Sequence, residues 1–150
     1  MRLAIDMAKE GIRKGQTPFG ACIVKNGKVI ACHHNLVWKN TDITSHAEIT
    51  TIGSACRSLE RIDLSGCTIY STSEPCPMCF SACHWARISR IAFGCTIKNA
   101  QDFGFNELVI SNSKLKKLTK SKIEITPGLL IKENIALFEF WRKQGETRVY

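Results

Sequence analysis

The chain has 150 residues, 44% of them hydrophobic and 23% charged, with a formal net charge of +8 and eight cysteines. That is the length and composition of one soluble globular domain, large enough to bury a core without disulfide staples. No apolar run approaches the roughly 20 residues that cross a bilayer, which excludes a membrane-spanning chain, and a pI near 9.2 favours acidic partners, nucleic acid among them.

Leu3, Ala4, Met7, Ala8, Gly11 and Ile12 recur at helical spacing and predict an amphipathic helix over residues 2–14 that ends near Gly15. The same segment mixes charges with apolar residues and lacks the h-region of a secretory signal, so a cytoplasmic protein is expected. The runs Phe19–Val24 and Lys28–Cys32 flank Asn26-Gly27, a dipeptide suited to the positive backbone angles of a type I′ turn, and predict a hairpin. Thr44 and Ser45 are candidate caps for a second helix from about His46, with Ile49, Ile52, Ala55, Cys56 and Leu59 as its buried stripe.

Cys67–Thr72 follows the Ser65-Gly66 turn signal, is rich in β-formers and predicts a strand. Pro75 and Pro77 suit a helix amino terminus, where a missing backbone donor costs least, and no breaker follows before Trp85. Ile88–Cys95 predicts another strand. This strand, helix, strand order argues for a parallel βαβ unit beside the antiparallel hairpin, hence a mixed sheet in an α/β fold. Residues 96–113 read as loop around Phe103-Gly104-Phe105, and Ile131–Lys143 as the last helix. Without a repeat, linker or low-complexity tract, residues 1–150 are expected to form a single domain.

Thiols stay reduced in the cytoplasm, so Cys22, Cys32, Cys56, Cys67, Cys83 and Cys95, all among apolar neighbours, are expected to be free core residues. Cys76 and Cys79 alone have a spacing that suggests chemistry. Lys114, Lys116, Lys117, Lys120 and Lys122 form a basic run without interleaved aromatics, which favours a solvated helix or loop over a nucleic-acid surface.

Strand-to-helix junctions in open α/β sheets gather at the carboxyl ends of strands, a placement that can bring His46 to Cys76 and Cys79. One imidazole and two thiolates are good zinc ligands, and three protein ligands leave the fourth tetrahedral position to a water whose pKa falls towards roughly 7. Glu48, two residues beyond His46, is placed to face that water as a general base without ligating the metal. His46-Ala47-Glu48 followed by Pro75-Cys76-Pro77-Met78-Cys79 is the pattern of zinc nucleobase deaminases. A closed structural site is the alternative: Cys76, Cys79 and Cys83 share a helix face, and Cys83 could be a fourth ligand. That arrangement leaves Glu48 without a purpose and strains tetrahedral ligation.

With "TSHAEI" and "STSEPCPMCFSA" the chain resembles the purine-acting branch of the cytidine deaminase-like superfamily over nearly its whole length. The resemblance implies a three-layer α/β/α sandwich with a central mixed five-stranded sheet. It also implies one Zn²⁺ on His46, Cys76 and Cys79, proton transfer by Glu48, and substrate contacts at Asn35 and Ala47. "PFGACIV", "HWAR", "FGFNE" and the terminal tyrosine resemble bacterial guanine deaminases, in which the carboxyl-terminal segment closes a site, often the partner subunit's. On that likeness Phe19 and Trp85 are expected to sandwich a purine, Glu107 to contact it, and Tyr150 to close over it. Asn106 stands where the guanine pattern has a carboxylate.

"IEITPGLL" and the basic charge resemble instead the tRNA-specific adenosine deaminases. The leading expectation is thus a zinc-dependent homodimer that deaminates guanine or a related free aminopurine or nucleoside. The alternatives are adenosine-to-inosine editing of tRNA and a non-catalytic zinc module that binds RNA.

Overall fold

The computed structural model describes residues 1–145 and 147–150. Its elements run α1 (Arg2–Arg13), β1 (Gly20–Lys25), β2 (Lys28–His34), α2 (Val37–Asn40), α3 (Ala47–Ser58), β3 (Cys67–Ser73) and α4 (Pro77–Trp85). They continue with β4 (Arg90–Cys95), α5 (Ile97–Asp102), α6 (Asn112–Thr119), β5 (Glu124–Thr126) and α7 (Ile131–Arg142). The five strands form one sheet in the order β2-β1-β3-β4-β5. β1 pairs antiparallel with β2 and β3, while β3–β4 and β4–β5 are parallel, so the sheet is mixed as expected.

Register decides which side chains share a face. Ala21 lies opposite Ser71, Ile23 opposite Ile69, Ile69 beside Ile91 and Ser71 beside Phe93, and alternation along a strand puts all six on one side of the sheet. α3 covers that side, since Thr51 donates to the Ala21 carbonyl at 3.3 Å and Ser71 to the Glu48 carboxylate at 2.7 Å. α4 packs against α3. Gly20 and Gly94 point the other way, towards Ala4 and Ala8 of α1 and Asn134 of α7. Helices therefore flank both faces, and the three-layer sandwich implied by the resemblance is the architecture found.

The hairpin turns through Asn26 and Gly27 with φ of 49° and 74°, the left-handed values that a two-residue turn between right-twisted strands requires. Three expectations need correction. Residues 96–113 are not simply loop: α5 starts on a capping box between Thr96 and Asn99, and α6 starts on Ser111, whose hydroxyl accepts from the Lys114 amide. Those caps are short polar signals that apolar periodicity overlooks.

The second correction concerns α3, whose N-cap is His46 itself, with extended backbone and no side-chain cap, rather than Thr44 or Ser45. Those two instead join Asp42 in a hydrogen-bonded turn that leads into the helix. The third is that Cys22 and Cys32 are joined as a disulfide. The hairpin register sets them directly opposite each other with Cα atoms 4.1 Å apart, a proximity that local apolar context does not reveal. The lysine run takes the expected form, with Lys114, Lys116 and Lys117 in the exposed helix α6 and Lys120 as its left-handed C-cap.

Gly20 is where the first helix lies closest to the sheet. A Cβ there would stand 2.2 Å from the Ala4 carbonyl oxygen and 2.8 Å from the Ala8 amide, backbone atoms that cannot move without shifting α1. Gly20→Ala is expected to lower unfolding stability by about 3 kcal/mol in urea titration, the upper part of the range for overpacking a core.

Candidate active and metal site

His46 ends the loop before α3, and Cys76 is the N-cap of α4, with Cys79 in its first turn. Pro77 at the helix start gives up an amide that has no helical partner in any case, which leaves Cys76 and Cys79 to face across the turn. Two helix amino termini thus converge, and their dipoles favour anionic sulfur. His46 Nδ1 lies 3.7 Å from Cys76 Sγ and 3.5 Å from Cys79 Sγ, and the three donor atoms lie within 4.8 Å of one another. Zinc bonds of about 2.0 Å to nitrogen and about 2.3 Å to sulfur at a tetrahedral angle demand a nitrogen–sulfur separation of about 3.5 Å, so the donor set fits that ion.

The sulfurs are electrostatically unequal. The hydrogen bond from Cys79 brings the Cys76 thiol down to about 4, and the same partnership, with burial, pushes Cys79 well up. Zinc binds thiolates, so a pair already arranged to hold one negative charge suits a cation. Cys83 lies one turn further along α4, fully buried, with burial raising its pKa, and is not part of the His46, Cys76, Cys79 cluster found among the described residues. The fourth ligand of the closed alternative is therefore not supplied by that thiol.

Glu48 is buried in the first turn of α3. Ser71 Oγ donates to its Oε1 at 2.7 Å, while Oε2 faces Cys79 Sγ at 3.6 Å. One oxygen is thus anchored to the sheet and the other is directed at the metal cluster. Burial raises the Glu48 pKa against the opposing pull of His46.

Phe19, Asn35, Ser73, Glu74, Glu107 and Tyr150 line the pocket with His46, Glu48 and Cys76. Asn35 is fully buried at the end of β2: its Oδ1 accepts from the Val37 amide and its Nδ2 donates to Tyr150 Oη at 2.7 Å. The Tyr150 ring lies 5.4 Å from the His46 ring and edge-on to Phe105 at 6.0 Å. The carboxyl-terminal tyrosine therefore reaches the pocket of its own chain and leaves about 10 Å³ free there. Beyond it opens an apolar vestibule of about 290 Å³, shared by Tyr150 and Glu107 with Ile43, Met78, Phe105 and Leu108. Asn106 lies on that vestibule.

Two expected substrate residues lie elsewhere. Trp85 is 81% exposed at the carboxyl end of α4, stacked edge-on against His84, and does not line the pocket. The helix that presents Cys79 in its first turn carries Trp85 away from the ligands by its last, so Trp85 does not stand beside Phe19 in the pocket of its own chain. Phe19 packs instead edge-on to Phe105 at 4.8 Å and Phe138 at 5.7 Å. Ala47 is fully buried in the core below the site. Conversely, Ser71 and Glu74 carry no distinguishing spacing in the sequence and emerge only from the register of β3 and the folding of residues 97–112 around its end.

The sequence profile of the cytidine and deoxycytidylate deaminase zinc-binding region matches residues 1–95, the segment that holds His46, Glu48, Cys76 and Cys79. The chain belongs to that family. It is a deaminase of the zinc type. Guanine deaminase of Bacillus subtilis is 34% identical over 151 aligned residues, which cover 100% of this chain and 96% of that protein. The tRNA-specific adenosine deaminase of Bacillus subtilis is 43% identical over 94 residues, covering 63% of this chain and 58% of that protein. A guanine deaminase structure from Nitrosomonas europaea superposes with a TM-score of 0.86 at 25% identity, over 93% of this chain and 81% of that one. Among the described residues no helix of this family member is long and apolar enough to cross a membrane.

The site generates two predictions. Removing the anchor of Glu48 by Ser71→Ala is expected to lower the deaminase kcat about ten-fold while zinc content by atomic absorption stays at one per chain, the outcome for a carboxylate that acts as base and is mispositioned but still present. Burial foremost, with the charges of Cys76 and Glu48, raises the Glu107 pKa to about 7 from an ordinary 4.5. The folded chain then holds a proton that the unfolded chain loses between those values, so stability falls as pH rises through that window. In the metal-free protein, Glu107→Gln and wild type are expected to unfold alike at pH 4 and the glutamine variant to be the more stable at pH 8, read by denaturant midpoints.

Proposed function

We propose that this chain is a purine deaminase that converts a free aminopurine, guanine foremost, to its oxo product and ammonia. The supporting observation is Tyr150, whose hydroxyl occupies the Asn35 donor at 2.7 Å inside an enclosed pocket next to His46. A pocket filled by a side chain of the same chain suits a ligand the size of a base, which can be sealed in, better than a base within a polynucleotide. The whole-length similarity to a guanine deaminase agrees with this.

Held by His46, Cys76 and Cys79, zinc supplies the Lewis acidity that makes water a nucleophile at neutral pH. The residues do the rest. Asn35 Nδ2, released from Tyr150, donates to an acceptor on the purine edge, and Phe19 walls the ring with its apolar face. Glu107 accepts from a ring or exocyclic N–H. Glu48 Oε2 takes a proton from the water as its oxygen adds to the amine-bearing carbon, and delivers that proton to the adjacent ring nitrogen. Glu48 then carries the remaining hydroxyl proton to the exocyclic nitrogen as the carbon–nitrogen bond breaks, so that guanine and water become xanthine and ammonia. The proposal includes a homodimer, the assembly that the resemblance implies.

A second reading, adenosine-to-inosine editing of tRNA, is favoured by the 43% identity over 94 residues to a tRNA-specific adenosine deaminase and by the net charge of +8. Zinc-loaded protein is to be incubated separately with guanine, guanosine, cytosine, ammeline and a tRNA anticodon stem-loop, with ammonia and inosine measured. Ammonia from guanine is the expected result. Inosine in the stem-loop with every free base and nucleoside inert would overturn it, and inactivity on all substrates would point to a zinc module that binds RNA without catalysis.

A further inference from the structure

Glu74 is buried at the end of β3, two residues before the ligand Cys76, and has no part in the chemistry described above. Its carboxylate receives two backbone amides from opposite ends of one excursion of the chain. Ile97, at the start of α5, donates to Oε2 at 3.3 Å, and Asn112, at the start of α6, donates to Oε1 at 2.8 Å. Between them the chain runs out through α5, past Phe105 and Glu107, and back. One side chain thus closes the neck of the segment that presents Glu107 to the pocket.

A second link doubles the first. Asn112, fully buried, donates from Nδ2 to the Pro75 carbonyl at 2.6 Å, on the residue between Glu74 and Cys76. The Glu74 amide in turn donates to the Cys95 carbonyl at 2.7 Å, which ties the ligand turn to the end of β4. Among the described residues Asn112 Oδ1 has no hydrogen-bond partner. Burying an unsatisfied carbonyl is unfavourable, so this amide is placed for the geometry its donor side enforces and not for stability alone.

We propose that Glu74, joined by Asn112, is a positioning residue that sets the loop of Glu107 against the metal-ligand turn. The carboxyl group of Glu74 is suited to this, since each of its oxygens accepts from one end of the excursion. Closing the neck removes most of the freedom of residues 98–111, so Glu107 arrives at the pocket without a large ordering cost on substrate binding. Glu74→Gln keeps the shape but turns an NH₂ towards one of the two amides, and the clasp opens at that end.

The proposal rests on the assignment of Glu107 to the purine, and two measurements keep their failures apart. Hydrogen–deuterium exchange of the zinc-loaded full chain needs no substrate. Glu74→Gln is expected to speed exchange of amides 98–111 about ten-fold while those of α4 and the zinc content stay as in wild type. Unchanged exchange in that segment overturns the clasp whatever the substrate is.

The kinetic test is a double-mutant cycle of Glu74→Gln and Glu107→Gln on the purine that wild type deaminates, or on the tRNA stem-loop if only that reacts. Each single change is expected to raise KM at least about five-fold with kcat altered less, and the double variant to be little worse than Glu107→Gln alone. Fully additive losses overturn the proposal even where the exchange result holds. If Glu74→Gln does not fold, Asn112→Ala, which keeps the backbone bond to Glu74 and loses the Pro75 link, replaces it in both measurements and is judged by the same outcomes.

Discussion

A carboxylate, an imidazole and two thiols share one small volume, and the fold has to keep them there against their own solvation. Glu48 is buried beside Cys79, and a buried carboxylate is unfavourable unless hydrogen-bonded. Ser71 meets that need from the sheet, two helix amino termini direct their dipoles at the sulfurs, and a divalent cation suits the remaining negative charge. Each element of the sandwich is placed in relation to this cluster. α3 lies on the face of β1 and β3 from which Ser71 projects, and α4 follows β3 directly so that its first turn faces His46.

The walls of the pocket come from much further apart in the chain. Phe19 precedes β1, Asn35 follows β2, Glu107 lies between α5 and α6, and Tyr150 is the last residue. Phe19, Phe105 and Phe138 form a mutually edge-on set beneath the pocket. That rigid aromatic floor gives the polar groups above it a fixed frame. Tyr150 joins that floor to the polar groups, its ring edge-on to Phe105 and its hydroxyl on Asn35. Its hydroxyl is held away from ionisation by burial, so at neutral pH it remains a donor and acceptor and not a charge.

Much of this was legible in the residues. Helical periodicity gave α1 and α7 within a residue or so, Asn26-Gly27 gave the hairpin, and the βαβ order gave the parallel half of the sheet. The metal cluster was legible because its chemistry restricts residue type: few pairings other than thiolate and imidazole at such spacings serve zinc. What was not legible has a common cause. Trp85 looked like a pocket residue through its neighbours in sequence, but the side-chain directions along the nine residues of α4 are set by packing and send it to the surface. Cys22 and Cys32 looked like separate core thiols until the hairpin register set them face to face.

By itself, then, the order of residues determined the reaction class, since His46, Glu48, Cys76 and Cys79 carry their chemistry wherever the fold brings them together. It determined the local elements as well, because helix and strand periods are short-range properties. Only the tertiary structure decided that Ser71 anchors one oxygen of Glu48, that Glu74 clasps both ends of residues 97–112, that Trp85 stands outside the pocket, and that Tyr150 lies within it. Those are relations between residues remote in sequence. They depend on strand register and on which face of a helix is buried, quantities set by packing of the whole domain and carried by no single segment.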